Sequence, residues 1–144
     1  MKRSLAIPLA TAVCMCTAGV PAHAHHSYGL FFDTCTSVTV EGQIEAVLWK
    51  DPHVWLDLKT DDGTAYRIEW TGPQNLKRDA VAADTLKAGD RVVVAGSPPR
   101  DRSQTRIAYP APNVVSVLTQ IRRPADGWSW MRTPGFPPSE CARK

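Results

Sequence analysis

The sequence predicts a mainly β protein: a small five-stranded Greek-key barrel of the oligonucleotide/oligosaccharide-binding type, with one short helix between strands three and four. Three observations predict it. Apolar and polar residues alternate over short runs, the period of a half-buried strand. Asp61-Asp62-Gly63 supplies turn chemistry between two such runs, which makes them a hairpin. The chain also lacks the repeating strand and long-helix pattern that a parallel sheet requires. A β-sandwich is the alternative arrangement of the same strands.

Strand one is read over Val38 to Trp49, where Val38, Val40, Ile44, Val47 and Trp49 alternate with an interruption at Gly42, the mark of a bulge or sharp bend. In a closed barrel, that is where the first strand must curl to serve two partners. Strands two and three are His53 to Leu58 and Ala65 to Trp70. Pro73 opens a short helix through Lys77, and the turn Leu86-Lys87-Ala88-Gly89-Asp90 leads into strand four, Arg91 to Gly96. Ile107 to Leu118 carries the last strand, or two short ones broken by Pro110 and Pro112, because proline cannot donate to a ladder. The arginines Arg100, Arg102 and Arg106 before it read as a solvated loop.

The first 24 residues read as a secretory signal peptide: Lys2 and Arg3, an apolar run from Leu5 to about Cys16, and small residues that allow cleavage after Ala22 or Ala24. Residues 25–120 then form the barrel domain, and residues 121–144 a tail rich in proline, glycine and tryptophan. The full chain carries 17 basic and 14 acidic residues; removing Lys2 and Arg3 leaves 15 against 14, a net charge of +1. So even a balance gives no electrostatic case for nucleic acid. The apolar run of the signal is too short to span a bilayer, so no transmembrane segment is expected after processing. The expected location is the periplasm or the exterior. Thr11-Ala12-Val13 before Cys14 matches a lipoprotein cleavage box poorly.

Two cysteines survive processing, Cys35 and Cys141, in a compartment that oxidises thiols. A disulfide between them is the simplest expectation, closing a loop of more than a hundred residues and contributing about 3–5 kcal/mol in the loop-entropy account. The alternative is a pair of soft metal ligands, but neither cysteine sits in a C-x-x-C or C-x-x-H spacing.

Three of the four histidines, His23, His25 and His26, lie at the predicted cleavage point, and His53 follows Pro52. A start at His23 offers an amine, two amides and the His25 imidazole, a square plane suited to Cu(II) or Ni(II). A start at His25 offers its amine and imidazole together, with His26 or His53 completing the set. Imidazoles without a carboxylate cluster argue against calcium and magnesium, and copper is the expected ion. Asp33 and Asp51 are the candidates to orient an imidazole through its other ring nitrogen. The bland alternative is a polar, flexible start and a histidine that merely hydrogen-bonds after a proline.

These motifs resemble, in order, a family of small exported bacterial proteins known as domain of unknown function number six-one-five-two. The resemblance rests on Ala24-His25-His26-Ser27-Tyr28, Phe32-Asp33, Val38 to Ile44, Asp51-Pro52-His53-Val54-Trp55-Leu56, the segment with Glu69, Pro73, Asn75, Leu76 and Arg78, and the Leu86 to Asp90 turn. Departures are Asp51 in place of the usual Asn, Ala80-Val81 in place of Gly-Trp, and the cysteine pair and tryptophan-bearing tail. The resemblance implies export and the barrel fold and carries no activity.

Catalytic readings find little support in the sequence. Ser27, Ser37, Ser97 and Ser103 lack a G-x-S-x-G context, and Asp57 and Glu69 read as solvent-facing positions of alternating strands. Trp49, Trp55, Trp70 and Tyr66 read as core packing; were Trp55 and Trp70 to share an outward face, they would form a stacking platform. Trp128 and Trp130 in the tail would dock on the barrel or on another protein. Two functions therefore stand: a non-catalytic binding protein holding copper or a related ion through His25, His26 and His53, and a metal-free accessory module that binds an exported protein or small ligand through Trp55, Trp70 and Trp128.

Overall fold

The computed structural model describes residues 28–103, 105, 111 and 113–132. Among the described residues these elements follow one another: α1 (Tyr28–Phe31), β1 (Val38–Leu48), β2 (Trp55–Lys59), β3 (Ala65–Glu69), α2 (Pro73–Arg78), β4 (Arg91–Ser97), β5 (Val114–Arg123) and β6 (Trp128–Met131). Their order in the sheet is β3-β2-β1-β4-β5-β6, and a further parallel pairing of β3 with β5 closes the first five into a barrel. The five-stranded barrel with α2 between β3 and β4 is the architecture expected from the pattern, with β6 added.

Strand β1 is shared. Its first half pairs with β4 from Val38 opposite Gly96 to Gln43 opposite Arg91, and its second half pairs with β2 from Gln43 opposite Lys59 to Leu48 opposite Trp55. The changeover falls beside Gly42, and the register slips between Ile44 and Ala46, so the bulge sits a little after the glycine that announces it in the sequence. Such a bulge bends the strand and lets one chain segment serve two walls of a barrel.

Alternation decides what points inward. Val40 and Ile44 of β1, Leu56 and Leu58 of β2, Ile68 of β3, Val92 and Val94 of β4, and Val115, Leu118 and Ile121 of β5 fill the interior with Val54, Leu76 and Trp130. Each such side chain contributes about 1.5–3 kcal/mol on burial. A second cluster lies apart from it: Phe32, Ala111, Val114 and Val117, with Tyr28, Phe31 and Trp55 packed against them. That cluster seats α1. Its placement is reinforced where Arg100, read from sequence as part of a solvated loop, donates its backbone N–H to Phe31 and its Nε to the Gly29 carbonyl at 2.7 Å.

Two boundaries differ from the sequence reading. The last barrel strand begins only after Pro112 and continues to Arg123, past residue 120. The segment beyond it is then part of the sheet: Trp128–Met131 pairs with β5 from Gln120 opposite Met131 to Arg123 opposite Trp128. Arg123 holds the connecting turn by bonding Asp126, Asp90 and the Thr85 carbonyl. Trp130 is 6 % exposed and belongs to the core, meeting Trp70 edge-on at 5.2 Å and donating its Nε1–H to Asp79.

At Gly96 strands β4 and β5 approach closely. A Cβ there would stand 2.7 Å from the Ser116 carbonyl oxygen, 2.8 Å from Leu118 Cδ2 and 2.9 Å from Val115 Cγ1. Gly96→Ala is therefore expected to lower stability by about 1–3 kcal/mol through overpacking, read as a reduced urea midpoint at unchanged m-value.

Candidate functional site

His53 enters the barrel wall through a close approach. The Asp51–Pro52 peptide is cis, and the Pro52 carbonyl lies where a Cβ on Gly72 would be, at 2.6 Å, so only glycine lets the Pro52-His53 segment lie against the start of α2. Val54 points into the core, which turns His53, Trp55 and Asp57 to the outer face of β2. On β3 the outward residues are Arg67 and Glu69. Trp55 stands opposite Glu69 and Asp57 opposite Arg67, so His53 is the diagonal neighbour of Glu69 across the hairpin.

Glu69 is the unexpected member. The sequence reading made it a solvent-facing strand residue, yet it is 2 % exposed. The cause lies on its other side. The parallel register sets Arg67 beside Val114 and Ile68 beside Val115, which brings Ser116 level with Glu69 at the seam where the barrel closes. Ser116 donates its hydroxyl to Glu69 Oε2 at 2.6 Å, and His53 Nδ1 makes a close contact with Glu69 Oε1. Both carboxylate oxygens are thus engaged. Of the expected pair, Asp57 remains half-exposed and binds Arg67 through two bonds of 2.8 and 3.0 Å.

A carboxylate accepts at both oxygens, so the proton of a neutral His53 ring resides on Nδ1 and the lone pair of Nε2 faces away from Glu69. Tyr28 meets it there, with its hydroxyl 3.1 Å from Nε2. Burial raises the Tyr28 phenol from its ordinary value of 10 to about 12, the Glu69 charge adds to the rise, and Arg132 opposes it. Arg132 is half-buried, donates Nε to the Leu118 carbonyl at 2.8 Å, and is itself held below its ordinary value by burial. Tyr28, His53, Glu69, Trp70, Asn75 and Arg132 line one pocket of about 290 Å³.

The backbone beneath the pocket is strained. Val117, next to Ser116 and also on the pocket wall, has φ of 51°, a left-handed conformation costing a β-branched residue about 1–3 kcal/mol. The register of β4 with β5 jumps here, from Ala95 opposite Gln120 to Ser97 opposite Ser116. The extra residues on β5 form the bulge that brings Ser116 under the carboxylate.

The other residues singled out by sequence are dispersed. His25, His26 and Cys141 lie outside the described residues. Asp33 accepts from the Thr36 hydroxyl and the Cys35 backbone, and Asp51 is exposed, so the carboxylate that orients His53 is Glu69 rather than either of them. Cys35 is exposed. Trp55 is half-buried against the second cluster, whereas Trp70 is 3 % exposed inside the main core, so the two share no outward face. Trp128 is half-buried, with the Arg123 guanidinium 5.7 Å from its ring centroid. No three His, Cys, Asp or Glu side chains gather into a metal cluster among the described residues, and no helix among them is long and apolar enough to cross a membrane.

A family model described as a family of unknown function, DUF6152, matches residues 12–108. The chain belongs to this family. The DUF6152 match takes in Tyr28, His53 and Glu69, while Ser116 and Arg132 stand beyond its end. No curated protein matches the chain.

Removing the imidazole strands a buried carboxylate. His53→Ala is expected to cost about 3 kcal/mol or more, with part recovered in the His53→Ala/Glu69→Gln double variant; chemical denaturation of the four proteins of the cycle checks it. The Tyr28 phenol favours its neutral form in the fold, so its contribution to stability is complete below pH 10 and is lost as the pH rises toward 12. Spectrophotometric titration of wild type against Tyr28→Phe reads this as one tyrosine that ionises two pH units late.

Proposed function

We propose that the protein is an exported, non-catalytic binding protein for copper or a related divalent ion, held by His53 Nε2 together with His25 and His26. The observation that carries the reading is the orientation of His53. A buried carboxylate fixes Nδ1 and leaves Nε2 toward the pocket, the relation by which proteins orient and strengthen a metal-binding imidazole. The Tyr28 hydroxyl at Nε2 also marks where the amino-terminal segment arrives. His26 and His25 precede Tyr28 by two and three residues, a reach of at most about 7 and 11 Å along an extended chain. Histidine nitrogens brought in by that segment complete a donor set suited to copper, nickel or zinc. Glu69 takes the orienting role expected of Asp33 or Asp51.

In this reading residues 1–24 are a signal peptide that directs the chain out of the cytoplasm, and Cys35 and Cys141 form a disulfide there that ties the segment after β6 to the region of α1.

Native mass spectrometry of the protein exported and processed by a bacterial host tests all of this. The expected spectrum shows a start at His23 or His25, a mass short by two hydrogens, and one retained Cu(II). Copper is lost from the His25→Ala/His26→Ala/His53→Ala variant, and Glu69→Gln weakens its binding by about 10–100-fold. A folded, correctly cut protein that retains no copper overturns the metal reading and favours a module that binds a partner through Trp55 and Trp128.

A further inference from the structure

A second pocket, of about 260 Å³, lies where the two hydrophobic clusters come together without merging. Val38, Val40 and Val115 bound it from the side of the main core, and Ala111 and Val114 from the cluster that seats α1. It shares no lining residue with the pocket at His53. Its rim is tied down by bonds already made. The Pro98 carbonyl accepts from the Asp33 backbone N–H at 2.8 Å, Thr105 donates its hydroxyl to the Phe31 carbonyl at 3.2 Å, and the Asn113 amide donates to the Ala65 carbonyl at 3.0 Å. The space is thus preformed and mainly apolar, the character of a small-molecule site. Among the described residues that line it, Arg102 alone is charged. Nearby arginines have acceptors, Arg100 in the Gly29 carbonyl and Arg67 in the Asp57 carboxylate. Arg102 has no ion-pair or hydrogen-bond partner among the described residues.

We propose that this pocket binds a small amphipathic carboxylate, a short aliphatic or single-ring aromatic acid. Its apolar part lies between the two clusters and its carboxylate at the edge formed by Arg102. Valine, alanine and proline walls favour a guest that gives up apolar surface to them, and that burial supplies the affinity. The unpaired cation selects the sign of the polar end, and a guanidinium matches the two oxygens of a carboxylate with paired donors. Size follows from the volume. Pockets for drug-sized molecules run from about 300 to 1,000 Å³, so a space just below that range takes a chain of a few carbons or one ring. The site does not depend on a metal at His53.

The test uses the chelator-treated, full-length processed protein with isotope-labelled valine methyls, titrated with hexanoate and benzoate and, as uncharged counterparts, hexanol and benzyl alcohol. Saturable shifts are expected at Val38, Val40, Val114 and Val115 with at least one of the acids, while Val54 and Val81, which do not line the pocket, stay in place. The matching alcohol binds more weakly. Arg102→Gln, a change at an exposed position, is expected to weaken the acid about three- to fivefold, the range of an exposed ion pair, and to leave the alcohol unchanged. Val38→Phe fills the space and abolishes both responses; should that variant not fold, the Arg102 comparison decides alone. Valine methyls that respond to no acid overturn the proposal. So does an alcohol that binds as tightly as its acid, or an acid indifferent to Arg102→Gln. Because the protein is free of metal and the two pockets share no residue, the result is independent of the copper experiment.

Discussion

A carboxylate taken out of water must be given partners, and in this fold that requirement falls on Glu69. An isolated buried charge is too costly to keep, so the side chains around it are constrained to answer it. His53 comes from the strand on one side and Ser116 from the strand on the other. Glu69 therefore lies across the closing seam of the barrel. Among the described residues the seam is short: two register pairs, the Asn113 carbonyl bonded to the Arg67 N–H, and the Asn113 amide bonded to Ala65. With so few backbone bonds, a side-chain link across the same junction contributes proportionately more to holding it shut.

The remaining pieces of the site are held by packing. Tyr28 reaches His53 because α1 is seated on Phe32, Ala111, Val114 and Val117, outside the main core, and because Arg100 ties the same segment to the end of β4. Val117 thereby does two things at once: its side chain is part of the seat for α1, and its left-handed backbone forms the bulge beneath Ser116. Strain kept at such a position is offset by the contacts around it. The pocket is consequently fixed from two directions, by the helix above and by the bulge below.

The barrel was legible because its signals are local. Alternation placed Val40, Ile44, Leu56, Leu58, Val92 and Val94 inward, Asp61 to Gly63 turned the hairpin, and Pro73 opened α2, each readable within a few residues. Half of the site was legible too, since Pro52-His53 stands out in a chain with four histidines. Glu69 was not. Alternation along β3 says only that it faces away from the barrel interior, and exposure there depends on what covers that face. Counting back from the hairpin turn does put Glu69 opposite Trp55 and diagonal to His53, a usable signal for the pair. Ser116 and Arg132 needed the β3 to β5 pairing and the β5 bulge, which join residues nearly fifty positions apart and leave no local trace. β6 was missed for a related reason: a four-residue strand after a Pro-Ala-Asp-Gly turn is too short for periodicity to register.

The stretch shared with the family model ends at residue 108, six residues before β5 begins. Yet β5 supplies Val115, Leu118 and Ile121 to the interior and is the strand that β3 and β4 both pair with. The family stretch is thus not a self-sufficient folding unit in this protein. Cut there, it would keep the β3-β2-β1-β4 sheet but present two raw edges to solvent, the kind of surface that recruits strands from other chains. In this protein β5 is the keystone of the barrel, and the boundary of the recognisable sequence is not the boundary of the barrel.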